Sequence, residues 1–324
     1  MSNAKPRYHL KQIHCRPWTL NGLSLKLIES HYENNYGGAM RRLNAIAEQL
    51  ESLDFASTPG HVLNGLKREE LAALNSTLLH ELYFASLGGD GQPTQGMAEM
   101  LARDFGSLER WRAEFRAMGY ALGGGSGWVV LAYVPRDGRL VNQYASEHAQ
   151  SIAGGVPILA LDMYEHAYHL DFGANARAYV DTFFRNLDWP ALEARYEDAC
   201  KVEAPRPVEQ PEFGGLPGID VEEVRAKLAA GEPLQVIDVR PRHFVTRQQE
   251  IAENIPWRDP EQLQDWMGQL TKSEPVVVYC AYGYHVGCRT AIKLREAGFD
   301  VKYMNSGHMG WKAIGAPMQL KAAP

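Results

Sequence analysis

One stretch limits the folds open to this chain more than any other: PILALDMYEHAYHL, residues 157–170. An uncharged apolar run, Ile158 to Leu161, is the pattern of a strand buried on both faces. It ends on a carboxylate, Asp162, with His166 four residues on. A buried strand that delivers a charged group into the interior must give that charge a partner. Two readings meet this need. Asp162 can cap a following helix at residues 164–170. Alternatively, Asp162 and His166 together can hold one transition-metal ion, since carboxylate oxygen and imidazole nitrogen suit zinc, iron or manganese.

The rest of the chain supplies two further histidines in apolar surroundings. Residues 25–50 carry Leu27, Ile28, Met40, Leu43, Ile46, Ala47 and Leu50 at helical spacing, with His31 among them. Gly37 and Gly38 lower helix propensity by about 1 kcal/mol each and leave room for a break or kink there. After a turn-rich connection at residues 57–65, a helix is expected over 67–87. Leu71, Leu74, Leu78 and Leu82 form one stripe, and His80 lies on the other side with Ala73, Phe84 and Leu87. With both sides apolar, that helix is expected between two layers. Residues 96–105 and 108–121 read as helices, Ser107 as an N-cap. Residues 129–134 and 139–144 alternate as two strands around the turn at Arg136-Asp137-Gly138. Helices follow at about 175–186 and 190–201.

Taken together, the string DMYEHAYHLDF, the His31 segment LIESHYENNYGGAMRRLN, the His80 segment LLHELYF and GSGW at residues 125–128 resemble the iron/manganese superoxide dismutases, over about residues 7–199. The resemblance implies His31, His80, Asp162 and His166 as ligands of one iron or manganese ion per chain. The ion would cycle between +2 and +3, turning superoxide into dioxygen and hydrogen peroxide. Tyr36, Trp128, Tyr164, Glu165 and Tyr168 are expected around the site or at a subunit interface. Glu165 would pair with the ligand histidine of a second subunit, which implies a homodimer. The outer shell departs from the family. Where a histidine and a tyrosine line the channel, this chain has Asn35 and Ala39. The two positions expected to donate to metal-bound solvent carry Gly124 and Ser76. Tyr36 lies about 60° round the helix from position 39 and is expected to lean in only partly. These departures keep open an alternative: a metal-binding relative without dismutation, serving as a dimeric scaffold or a redox or sulfide sensor. A third reading leaves both halves idle, as an interaction module.

Residues 202–218, rich in Pro, Gly and Glu, read as a linker between a first domain (1–201, helical to about 95 and α/β from 96) and a second (219–324). The first is expected to be α+β with a small antiparallel sheet. In the second, strands at 234–239, 276–280 and 301–304 alternate with helices at 221–230, 260–270 and 288–298, and Asp220 suits an N-cap. That alternation predicts an α/β domain with a parallel sheet. Cys280 closes a strand and opens a loop, 281–287, onto a helix N-terminus, where backbone amides favour a thiolate. An inert core cysteine is the alternative. The frame VIDVRP, VVVYCAYGYHVG and GHMGWKAIGAPM resembles a rhodanese domain over about residues 216–320. The resemblance implies that Cys280 carries a persulfide cradled by loop amides, taking sulfur from a donor and passing it to a thiol acceptor. The loop is one residue longer than the common form, and His285 stands where Arg is frequent. Val286 stands where a phosphatase loop needs Arg, which disfavours phosphoryl transfer. Cys288 can bridge to Cys280 or simply fill the helix start.

The 324 residues suit about two domains. A net charge of -6 without a basic run argues against nucleic acid as a partner. No apolar run reaches the roughly 20 residues of a membrane helix. MSNAKPRYHL has no signal-peptide core, and four scattered cysteines make no disulfide framework, so a cytoplasmic location is expected.

Overall fold

The computed structural model describes residues 6–204, 213–248 and 250–320. The chain divides into two compact units, residues 1–206 and 207–324.

The first unit is α+β. Helix α1 (Leu25–Ser30) starts on Ser24, whose hydroxyl accepts from the Leu27 amide at 3.0 Å. A π-helical turn, His31–Tyr36, follows directly, and α2 (Gly37–Glu51) continues from it. The glycine pair therefore breaks nothing. The distortion lies one turn earlier, in the widened turn that begins at His31, and such turns recur at functional sites. Helix α3 (Gly60–Ala85) starts inside the stretch expected to be a turn and packs against α2. Its leucine stripe is not covered on both sides: Leu71 and Leu78 are 46% and 51% exposed, while Leu79, His80, Tyr83 and Phe84 are buried. The expectation of two covering layers was wrong because apolar residues on a wheel do not say whether anything packs on them.

Helices α4 (Gln95–Phe105) and α5 (Leu108–Ala121) start on Thr94 and Ser107, each side-chain oxygen accepting an amide three residues on. Strands β1 (Trp128–Val134), β2 (Arg139–Ala145) and β3 (Val156–Asp162) form an antiparallel sheet in the order β2-β1-β3. The register pairs Trp128 with Ala145 on one side and Asp162 on the other. Gly127 has φ +140°, and a Cβ there would stand 2.3 Å from the Ala145 carbonyl oxygen, so only glycine brings the chain into β1 at this angle. A 3-10 turn at Glu165–Ala167, α6 (His169–Phe172), α7 (Ala176–Arg185) and α8 (Trp189–Cys200) complete the unit. Trp111, Phe115, Trp128, Phe183 and Trp189 fill its core.

The second unit is α/β. It runs β4 (Gly218–Ile219), α9 (Val221–Ala229), β5 (Gln235–Asp238), α10 (Arg242–Thr246), β6 (Glu250–Ala252), α11 (Leu263–Trp266), β7 (Val276–Tyr279), α12 (Val286–Glu296), β8 (Val301–Met304), α13 (Gly307–Ala313) and β9 (Met318–Leu320). Four of these strands form a parallel sheet in the order β4-β8-β7-β5, and β6 pairs with β9. Three local expectations need correction. Asp220 precedes α9 without capping it, because its carboxylate accepts from the Asn305 amide instead. Residues 260–269 make 3-10, α and 3-10 pieces rather than one helix. Helix α12 begins two residues early, at Val286. Of the expected linker, residues 205–212 lie outside the described ones, and Gly218 already belongs to β4.

Candidate metal centre and cysteine loop

His31 comes from the π-helical turn, His80 from the buried side of α3, Asp162 from the end of β3, and His166 from the 3-10 turn four residues on. Their ligand atoms lie within 4.8 Å of one another. Asp162 Oδ2 is the hub: Nε2 of His31, His166 and His80 stand 3.0, 3.1 and 3.5 Å from it. With bonds of about 2.1 Å, ligands about 90–120° apart around one ion are separated by roughly 3.0–3.6 Å. The four groups therefore fit a single transition-metal ion.

Protonation supports the fit. His80 Nδ1 donates to the Ser76 carbonyl at 2.6 Å, so its Nε2 bears the lone pair. That Nε2 is buried without a hydrogen-bond partner, a costly arrangement unless a ligand takes it up. Burial drives His80 down to about 3, partly offset by the Asp162 charge, and also lowers His31. Burial alone would raise Asp162; hydrogen bonds to His166 and His31 overcome it and hold the carboxyl well below its usual range. Neutral imidazoles around a carboxylate are what a metal ion requires. The second oxygen, Oδ1, accepts the Tyr164 amide at 2.9 Å, and the Asp162 carbonyl accepts from Tyr179 Oη at 2.8 Å.

Beside the cluster lies a cavity of about 250 Å³ lined by Asn35, Ala39, Arg42, Ser76, His80, His148 and His166, among others. His148 escaped the sequence reading, which found the two expected donor positions occupied by Gly124 and Ser76 instead of a donor. Gly124 is an exposed turn glycine with no atom near its Cβ position, and the Ser76 carbonyl is engaged by His80. His148, in the loop after β2, lines the same cavity as His80 and His166. Its Nδ1 accepts from Trp128 Nε1 at 2.9 Å. Indole only donates, so Nε2 of a neutral His148 carries the proton and is the free donor of the ring. Burial lowers its pKa, which keeps it neutral. Nothing local in Ser-Glu-His-Ala announces this; the signal is the partner, Trp128, twenty residues earlier.

The remaining expected neighbours fall on different sides. Trp128 is fully buried, edge-on to His80. Tyr164 stacks on His148 and His166 with centroids at 4.7 and 5.5 Å. Tyr168 Oη accepts the Gly124 amide, and its ring stacks on Tyr179. Glu165 is exposed. Tyr36 does more than lean in: it is buried, stacked on His80 at 6.3 Å, and donates to Glu81 at 2.8 Å while accepting the Lys11 amide. The π-helical turn accounts for the difference from an ideal helix wheel.

In the second unit Cys280 follows β7 and is buried. The Cys280 Sγ–H donates to the Tyr284 carbonyl at 2.8 Å. His285, at φ +36°, starts α12, and Tyr282 is 68% exposed. Gly307, at φ +53°, closes the loop from below; a Cβ there would stand 2.3 Å from the Cys280 carbonyl oxygen. Behind the loop, Asp238 grips the buried Arg240 through Nε and Nη2, leaving Nη1 unpaired. Cys288 is fully buried and, like the other three cysteines, free.

Residues 93–195 match the C-terminal domain of iron/manganese superoxide dismutases, and residues 220–314 match the rhodanese-like domain. The chain is 60% identical over 194 residues to an iron superoxide dismutase of Cupriavidus metallidurans, covering 60% of this chain and 98% of that protein. It is 34% identical over 205 residues to an iron superoxide dismutase of Aquifex aeolicus, covering 61% of this chain and 92% of the relative. A manganese superoxide dismutase of Halobacterium salinarum is 36% identical over 175 residues, or 54% of this chain and 84% of the relative. The chain therefore belongs to the iron/manganese superoxide dismutase family and carries a rhodanese-like domain after the dismutase part.

Proposed function

We propose that His31, His80, Asp162 and His166 hold one iron or manganese ion and that the first unit dismutates superoxide to dioxygen and hydrogen peroxide. The carrying observation is the convergence of three imidazole nitrogens on Asp162 Oδ2. The bound ion supplies one-electron chemistry between its +2 and +3 states. The protein supplies the rest. Asp162 contributes the negative charge, and the cavity of about 250 Å³ reaches His80 and His166. Asn35 and Ala39, both shorter than the family's residues, leave its wall open. Two protons are consumed per pair of superoxides. His148, which lines the cavity beside His80 and His166, is the candidate proton donor, with Trp128 fixing its tautomer and Tyr164 its ring plane. The scaffold-or-sensor alternative rested on Gly124, Ser76 and Ala39; the 60% identity to an iron enzyme speaks against it, and His148 offers a donor beside the site.

Exposure of Glu165, next to the ligand His166, supports a homodimer in which the two sites lie near the subunit boundary. Cys280 is the candidate sulfur carrier of the second unit, receiving sulfane sulfur from a donor and passing it to a thiol. Among the described residues no helix is long and apolar enough to cross a membrane. Metal analysis of the purified protein together with a dismutation assay, against His166→Ala, tests the main reading. Stoichiometric iron or manganese with activity lost in the variant is expected. Zinc alone, or no metal, refutes it.

A further inference from the structure

A cavity of the second unit lies away from the Cys280 loop. It measures about 680 Å³, within the range of small-molecule sites. It opens along β5, the edge strand of the parallel sheet, and is lined there by Gln235, Val236 and Ile237. These residues pair with Val276–Val278, whereas Cys280 comes after the end of that strand. The cavity therefore flanks the sheet and does not include the cysteine.

Its walls are apolar in a specific way. Trp266 and Trp311 are buried, and each spends its only donor internally: Trp266 Nε1 on the Asp259 carbonyl at 2.8 Å, Trp311 Nε1 on the Pro317 carbonyl at 3.0 Å. The two indoles offer the cavity carbon surface alone. Charge enters through Arg225, Arg258 and one carboxylate, Glu253. Arg225 Nη1 donates to the Ile314 carbonyl at 3.0 Å. Arg258 makes only two long contacts, 3.4 Å each, to the Trp257 carbonyl and to Gln269. Among the described residues neither guanidinium has a carboxylate within ion-pair distance. An apolar chamber bordered by two unpaired guanidiniums suits a ligand with a hydrocarbon body and one carboxylate, because a guanidinium binds a carboxylate through paired N–H donors.

We propose that this cavity binds an apolar carboxylate of the fatty-acid type, with the chain against Trp266 and Trp311 and the carboxylate on Arg225 and Arg258. This function is separate from dismutation and from sulfur transfer. The test uses the full-length protein, calorimetric titration, and three probes of equal chain length below their micelle concentrations: decanoate, decanol and decyltrimethylammonium. Decanoate is expected to bind saturably at one site per chain, at least about tenfold tighter than decanol, with the cation weaker still. R225Q/R258Q should weaken decanoate about tenfold and leave decanol unchanged. Alkylating the cysteines beforehand should change neither. Absence of saturable decanoate binding, equal affinity for decanol, or unchanged decanoate affinity in the double variant overturns the proposal. If that variant does not fold, the three probes on the unaltered protein decide alone.

Discussion

Replacing His148 by alanine tests both the electrostatics and the packing of the metal centre. The substitution removes the acceptor of Trp128 Nε1, and Trp128 is fully buried, so the indole N–H would be left unpaired. Such a loss costs about 1–3 kcal/mol. It also removes the ring stacked on Tyr164, with centroids at 4.7 Å and planes 8° apart. A stacked pair contributes about 0.5–1.5 kcal/mol. Together the apo-protein should lose about 3 kcal/mol. For a unit of this size that lowers its melting temperature by roughly 6–12 °C. Activity per bound metal should fall by about 10–100-fold, the usual cost of an outer partner. His148→Gln separates the two effects, since its carbonyl can accept from Trp128 while its amide donates. It should recover most of the stability and a good part of the rate. The assay is superoxide dismutation normalised to metal content, with thermal unfolding of the metal-free protein alongside. Full activity per metal in His148→Ala would refute the donor role. Equal destabilisation by Gln and Ala would refute the Trp128 hydrogen bond as its cause.

Acid should unfold the metal-free protein by a route that runs through buried histidines. An unfolded histidine takes its proton near 6.5, whereas folded His80 waits until about 3 and His308 until about 4. The unfolded state therefore binds more protons below pH 6.5. Stability present above that pH is lost on acidification by up to about 1.4 kcal/mol per pH unit per histidine. Urea titrations from pH 7 to 4 measure the slope, and a flat profile contradicts the burial argument. His308 is fully buried with neither ring nitrogen partnered, so His308→Leu should stabilise the second unit by about 1–3 kcal/mol and reduce the slope. A destabilised variant would mean that the ring has a polar partner. Limited alkylation followed by peptide mapping should label exposed Cys200 first and Cys288 last, with Cys280 slow while its thiol is bound to the Tyr284 carbonyl. Rapid labelling of Cys280 would show that the loop opens readily. Glu165→Ala should shift the sedimenting species from dimer toward monomer, and a monomeric unaltered protein would count against the subunit pairing.

The legible parts of this molecule are those whose cause is local. Ser107 precedes an apolar period of 3.6 and caps α5. The 158–161 run is buried on both faces and forms β3. His31, His80 and the Asp162/His166 pair sit in three separate strings, recognisable when taken together, and the fold brings them to one point. What could not be read depends on partners far along the chain or on backbone direction. Leu71 and Leu78 look like core residues, and only the absence of a covering element exposes them. The π-helical turn, not the glycine pair, reshapes the helix around Tyr36. A loop pattern does not say whether a carbonyl or an amide faces Cys280.

The two units also show why buried histidine alone is poor evidence for a metal. His80 and His308 are both fully enclosed, both pushed well below their ordinary pKa by burial, and both left with unpaired ring nitrogen. Around His80 the free nitrogen faces a carboxylate oxygen at 3.5 Å that two further imidazoles also approach, so one cation would satisfy every group at once. Around His308 the neighbouring cations are Arg240 and Lys312, and their carboxylate partners, Asp238 and Glu250, are already paired with them. A cation placed there would meet two positive groups and no unpaired carboxylate, and its charge would be repelled. The same orphaned donor set thus reads as a metal centre in the first unit and as a destabilising defect in the second, and the position of one carboxylate decides between them.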